Sequence, residues 1–141
     1  MARNLIIFDL QGTLVKGMRP PVLNGSINSI EKLSKKCILA IFTGASKSET
    51  INILKYLKIY SFFNPKNIVT KNQFLPKPNS NAIFWLKRNY PFDKIYYIGD
   101  TRKDYLCALN SQVSFIYMGK QKIGITQINS LDELLNVKIN L

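Results

Sequence analysis

Leu5-Ile6-Ile7-Phe8-Asp9-Leu10-Gln11-Gly12-Thr13-Leu14-Val15 is the stretch that decides the fold. Its first four residues form a continuous apolar run, which reads as a strand buried on both faces. The run ends on a carboxylate, and burying a carboxylate is costly unless a cation or hydrogen-bond donors compensate. Gly12 follows within three residues, so the strand gives way at once to a turn.

Working outward, residues 10–25 contain Gly12, Gly17, Pro20, Pro21 and Gly25 and read as a loop or flap. A helix with Ile27, Ile30 and Leu33 on one face comes next. A second buried strand runs from Cys37 to Phe42 and stops at Thr43-Gly44. Ser46 and Glu49 have the spacing of a capping box, opening a helix that carries Ile51, Leu54 and Leu57. Ile68-Val69 reads as a short strand. Lys77-Pro78-Asn79 leads into a helix with Ala82, Trp85 and Leu86 near one face, and Trp85 is expected to serve packing. Ile95–Ile98 is a strand ending at Gly99-Asp100, followed by a helix from Thr101 to about Ser111 and a strand over Val113–Met118. Ser130 and Glu133 again fit a capping box, opening a short C-terminal helix.

Strands alternating with helices imply an α/β fold: a doubly wound, mostly parallel sheet with helices on both faces. The 141 residues suit one domain, 1–141. Cys37 and Cys107 lie within apolar segments and read as buried free thiols. No apolar run approaches the roughly 20 residues needed to cross a bilayer. Asp9 interrupts the N-terminal apolar stretch before a secretory segment could form. A cytoplasmic protein without a membrane partner is the expectation.

The chain has no histidine, which excludes Ser-His-Asp and Cys-His nucleophilic systems and favours oxygen ligands, hence Mg²⁺ over Zn²⁺. Its formal charge is +12, with 16 of the 20 basic residues being lysine. Such a field attracts polyanions, including nucleic acids and phosphorylated metabolites. The lysines are dispersed, however, and no aromatic-plus-basic motif of the RNA-binding type is present. Nucleic-acid binding therefore rests on charge alone.

In an open parallel sheet, ligands bind beyond the carboxyl ends of the strands. The polar residues ending buried strands here are Asp9, Thr43 and Asp100, and only eight carboxylates exist in the chain. A bound Mg²⁺ would compensate two such carboxylates, preferring their oxygens together with phosphate and water.

Asp9-Leu10-Gln11-Gly12-Thr13-Leu14-Val15 resembles the first motif of the haloacid dehalogenase superfamily, usually DxDGT(L/V). Phe42-Thr43-Gly44 resembles its second, Lys77-Pro78 its third, and Gly99-Asp100-Thr101-Arg102-Lys103-Asp104 its fourth, GDxxxD. The four occur in family order. The resemblance implies a Mg²⁺-dependent phosphoric monoester hydrolase in which Asp9 attacks phosphorus to form an aspartyl-phosphate. It implies that Asp9, Asp100 and the backbone carbonyl of Gln11 hold the metal, with Asp104 as a metal or Lys77 contact. Thr43, Gly44 and nearby N–H groups would hydrogen-bond phosphoryl oxygens, together with Gly12 and Thr13, and Lys77 would balance charge. Asp104 has a second reading, since Thr101-x-x-Asp104 is also a capping box.

The chain departs from the pattern at Gln11, where active phosphatases of the superfamily carry an acid/base aspartate. A carboxamide cannot exchange protons as a carboxyl does. Three outcomes follow: a slowed phosphatase, another reaction of the superfamily, or a phosphate- and Mg²⁺-binding or regulatory module without useful turnover. The intervals from Asp9 to Thr43 and from Thr43 to Lys77 are too short for a cap domain. The site is expected to be open, or closed by residues 14–23 or by another subunit of a homo-oligomer. The expected substrate is a phosphorylated small molecule or a phosphorylated polymer end.

Overall fold

A computed structural model describes residues 3–89, 91–120 and 124–135. The first strand, β1 (Arg3–Phe8), is buried over its last four residues, and its side chains divide by parity. Leu5 and Ile7 enter one apolar cluster, and Ile6 and Phe8 the other. This is the signature of a strand covered on both faces, because successive side chains point to opposite sides.

Six strands form one parallel sheet in the order β5-β4-β1-β6-β7-β8. These are β4 (Cys37–Phe42), β5 (Ile68–Val69), β6 (Phe92–Gly99), β7 (Ser114–Met118) and β8 (Gln127–Ile128). From β1 the chain builds outward through β4 and β5, then crosses back to β6 and builds the other way. The direction of winding therefore reverses between β1 and β6, which opens a crevice at their carboxyl ends.

Helices α1 (Ile27–Lys36), α2 (Lys47–Tyr56), α3 (Asn81–Arg88) and α4 (Arg102–Ser111) supply the cover. Ile30 and Leu33 of α1 and Ile53 and Leu54 of α2 join the cluster containing Phe8. Ala82, Ile83 and Leu86 of α3 and Cys107 and Ala108 of α4 join the cluster containing Ile7. The α/β doubly wound architecture is as the alternation of strands and helices implied. Both cysteines are free and buried. No helix among the described residues is long and apolar enough to cross a membrane.

Local departures have physical causes. Residues 10–25 are not a plain loop, since Val15–Met18 (β2) and Pro21–Leu23 (β3) pair as an antiparallel hairpin. Val15 is fully buried in the core and Leu23 packs against it, so tertiary contact stabilises strands too short to announce themselves. Ile27 is 43 % exposed, while Ser29 takes a buried place in α1 because its hydroxyl donates to Asp132 at 2.6 Å. Only the forward half of the Ser46 cap is present among the described residues: its hydroxyl accepts from Glu49 N–H at 3.2 Å. Trp85 is half-buried against Phe74, with ring centroids 5.6 Å apart, a packing role. The C-terminal helix is a 3₁₀ segment, Leu131–Leu135, with Glu133 accepting from Ser130 N–H at 2.9 Å. The ends of the expected domain, residues 1–2 and 136–141, lie outside the described residues.

Candidate active site

Asp9 follows the last residue of β1, and its own N–H still donates to Ile98 of β6 at 3.0 Å. Because β1 and β6 are neighbours in register (Phe8↔Ile98), Asp100 emerges beside Asp9 at the same end of the sheet. Between them the chain turns tightly: Leu14 N–H donates to Asp9 O at 3.3 Å, and Val15 N–H to Leu10 O at 3.0 Å. Gly12 sits in this turn at φ +83°, where a β-carbon would lie 2.0 Å from Asp100 Oδ2. Glycine is thus required twice, by conformation and by the approach of the carboxylate.

Thr13 is fully buried, and its hydroxyl donates to Asp100 Oδ1 at 3.4 Å. The side chain faces inward and is hydrogen-bonded to Asp100. Asn24, buried behind it, donates to Thr13 O at 3.1 Å and links the turn to Leu131 through its own carbonyl. Gln11 is exposed, paired by a bridge to Val15.

Asp104 belongs to the first turn of α4 and is fully buried. Its Oδ2 accepts from Thr101 N–H at 3.2 Å and from the Thr101 hydroxyl at 2.8 Å, completing a reciprocal capping box. Its Oδ1 accepts from Tyr97 OH at 2.7 Å and forms an ion pair with Lys77 Nζ at 2.8 Å. The two readings of Asp104, cap and Lys77 contact, are both realised. Gly99 permits this, since a β-carbon there would lie 2.4 Å from Asp104 Cβ.

Lys77 bridges Asp9 and Asp104, 2.8 Å from Oδ1 of each. Its ammonium also lies 5.1 Å from the ring centre of Phe42 and 5.6 Å from that of Tyr97. The following residues are pinned to α4: Ser80 Oγ donates to Cys107 O at 3.0 Å, and Cys107 Sγ to Asn79 O at 3.3 Å. One helix therefore fixes Lys77 both by charge and through its backbone neighbours.

Burial raises the Asp9 carboxyl from its ordinary 3.8 to about 7; Lys77 opposes this, while Asp104 and a hydrogen bond with Asp100 reinforce it. Burial disfavours the Lys77 ammonium, yet Asp9 and Asp104 outweigh it and hold the pKa above the ordinary 10.5. Burial likewise works against an ionised Asp104, but Lys77, Tyr97 and Thr101 hold its pKa below 3.8. Burial, and then Asp104, push the Tyr97 phenol well above 10, so it stays a neutral donor.

Carboxylate oxygens of Asp9, Asp100 and Asp104 lie within 4.8 Å of one another. Among the described residues, Lys77 is the one cation paired with any of them. Three carboxylates thus share a single paired ammonium. A hard divalent cation fits that donor set. Asp104 already accepts four interactions, so Asp9 and Asp100 are the carboxylates with capacity for a metal.

Thr43 follows the last residue of β4, its N–H donating to Val69 O at 3.0 Å and its Oγ accepting from Ala45 N–H at 3.1 Å. With Gly44 and Lys77 it lines a cleft of about 390 Å³. Tyr97, Asn24 and this cleft were not foreseen as parts of the site. The position of Tyr97 two residues before Gly99, on an inward-facing strand position, is the signal that could have revealed it.

A family model described as haloacid dehalogenase-like hydrolase matches residues 19–118, which leaves the turn at Asp9–Val15 to be placed by geometry. No curated protein matches this chain in sequence. Among solved structures, it resembles the core domain of a protein provisionally assigned as a phosphoglycolate phosphatase from Streptococcus pneumoniae. That likeness has a TM-score of 0.72 and 27 % identity, covering 96 % of this chain and 95 % of the other. A hydrolase of the same superfamily from Ehrlichia chaffeensis gives a TM-score of 0.80 at 14 % identity, covering 96 % of each chain. D,D-heptose 1,7-bisphosphate phosphatase from B. bronchiseptica, solved with magnesium and phosphate, gives 0.74 at 14 % identity, covering 94 % of this chain and 96 % of that one. With the family match spanning residues 19–118 and the doubly wound sheet behind it, this chain belongs to the haloacid dehalogenase-like hydrolases.

Proposed function

We propose that this protein is a Mg²⁺-dependent phosphatase that forms an aspartyl-phosphate on Asp9, and that Gln11 slows its turnover. The observation that carries this reading is the meeting of Asp9, Asp100 and Lys77 at the point where the sheet reverses direction. Asp9 and Asp100, with the main-chain carbonyl of Gln11, would hold Mg²⁺, which when bound neutralises phosphoryl oxygens and the paired carboxylates. Asp9 attacks phosphorus, the bond from phosphorus to the leaving oxygen breaks, and that oxygen takes its proton from water. Gln11 has no acidic proton to give. Water then cleaves the aspartyl-phosphate, releasing inorganic phosphate and restoring the carboxylate.

Lys77 balances the charge of Asp9 and the arriving phosphate, and Asp104 holds it there. Thr43 and Gly44 line the same cleft, and the Thr43 hydroxyl and the Gly44 N–H suit the phosphoryl oxygens. Between Asp9 and Thr43 lie only the β2–β3 hairpin, α1 and β4, so the site is read as capless and open to a phosphorylated small molecule or polymer end. The magnesium and phosphate bound by the heptose bisphosphate phosphatase support the choice of metal and reaction.

One observation favours a second reading, a phosphate- and Mg²⁺-binding module: position 11 carries a carboxamide, and it is exposed. An activated aryl phosphate separates the two. The phosphatase releases phosphate from it with Mg²⁺, loses this in Asp9→Asn, and gains about ten- to a thousandfold in Gln11→Asp. Wild-type turnover no greater than that of Asp9→Asn favours the binding module.

A further inference from the structure

The cleft beside Lys77 extends well past what a phosphoryl group needs. Beyond Thr43, Gly44 and Lys77 it is lined by Lys71, Lys103 and the ring of Phe74. Phe74 is half-buried and held against Trp85, a fixed apolar wall. Lys71 comes from the turn after β5, whose N–H donates to Ala45 O at 2.9 Å and so ties this wall to the Thr43 loop. The turn is braced again where Thr70 N–H donates to Gln73 Oε1 at 2.6 Å. Lys103 comes from the opposite side, in the first turn of α4 one residue before Asp104. Neither lysine forms an ion pair among the described residues. Two exposed lysines from separate elements thus line one apolar-walled cleft of about 390 Å³, within the size range of small-molecule sites.

We propose that this cleft receives the leaving group and selects phosphomonoesters bearing a second anionic group, bound by Lys71 and Lys103, on a compact apolar body packed against Phe74. The inference rests on the phosphatase reading for its orientation, with the scissile phosphate at Asp9 and the second anion at the lysines. Charge-assisted hydrogen bonds give the preference, and a substrate lacking the second anion leaves the lysines solvated.

The test uses three substrates with one aromatic body: phenyl phosphate, 4-carboxyphenyl phosphate and 1,4-phenylene bisphosphate. Wild-type kcat/KM should favour the two doubly anionic substrates by about tenfold, and the ratio between those two tells whether carboxylate or phosphate is preferred. Lys71→Ala combined with Lys103→Ala should abolish that preference, bringing kcat/KM for the two doubly anionic substrates down to that for phenyl phosphate. Lys36→Ala combined with Lys94→Ala removes the same charge at the opposite end of the strands and should preserve the preference. Equal loss on all three substrates, or the same effect from the Lys36 and Lys94 changes, overturns the proposal in favour of a general positive field. Calorimetric binding of benzylphosphonate and 4-carboxybenzylphosphonate with Mg²⁺ needs no turnover. Discrimination between them in a protein that hydrolyses nothing keeps the subsite and removes the phosphatase reading. Turnover without discrimination removes the subsite alone.

Discussion

Asp104 and Asp132 occupy the same kind of position, the first turn of a helical segment, and each gathers hydroxyl and main-chain donors. Asp132 Oδ1 accepts from Ser26 N–H and the Ser26 hydroxyl at 2.9 Å and from the Ser29 hydroxyl at 2.6 Å, tying the Leu131–Leu135 segment to the start of α1. Asp104 accepts from Thr101 and Tyr97 and, in addition, holds Lys77 against Asp9. Both pKa values lie below 3.8; Ser29 and Ser26 lower that of Asp132, and Lys77 chiefly offsets burial at Asp104. The difference is burial: Asp132 is exposed, whereas Asp104 is sealed behind Tyr97. The same local device serves as a tether in water and as the anchor of the Lys77 ammonium in the interior.

That contrast breaks most sharply under substitution. Asp104→Ala removes the more buried of the two carboxylates paired with Lys77, together with the acceptor of the Tyr97 and Thr101 hydroxyls, and should cost about 3 kcal/mol in denaturant unfolding. Asp132→Ala should cost no more than about 1.5 kcal/mol. Equal losses would mean that burial does not distinguish the two.

Metal binding sharpens the comparison further. Saturation with Mg²⁺ at 100 times its Kd should stabilise the wild type by about 2.7 kcal/mol in thermal unfolding, and equally so in Asp132→Ala. Asp9 must lose its proton to bind the ion, and its pKa is raised to about 7. The Mg²⁺-induced shift should therefore grow between pH 5.5 and 8. A shift independent of pH would contradict protonation of Asp9 in the free protein.

Tyr97→Phe removes one donor to Asp104 and leaves the ring packing, at an expected cost of about 1–2 kcal/mol. Without Mg²⁺, Asp104 and Asp9 should give opposite pH trends. The lowered pKa of Asp104 contributes stability that is present above its unfolded value and lost as pH falls through the folded one. The raised pKa of Asp9 means the folded state binds the extra proton, so its contribution falls as pH rises from 3.8 to about 7. Unfolding of Asp9→Asn across this range should lack the second trend only.

The strand ends were legible because a buried strand must end where its apolar run ends. Leu5–Phe8, Cys37–Phe42 and Ile95–Ile98 all stop at the polar residues the sheet presents to the crevice. The β2–β3 hairpin was obscured because glycines and prolines dominate residues 10–25, and Val15 reveals its strand only through the core it enters. Thr13 read as a substrate contact because its neighbours Asp9 and Gly12 belong to the crevice; that its side chain turns inward depends on Asn24 and Asp100, eleven and 87 residues away.

Taken alone, the order of residues determined the alternation of strands and helices, the placing of Asp9, Thr43 and Asp100 at strand tips, and the charge that favours anionic ligands. Those properties follow from short-range periodicity and from the cost of burying polar groups. Tertiary structure alone decided that Lys77 meets Asp9 across 68 residues, that Tyr97 seals Asp104, and that Lys71 and Lys103 face one cleft. These contacts join elements whose nearness depends on the order β5-β4-β1-β6 and on the side from which each helix packs, which no local pattern records.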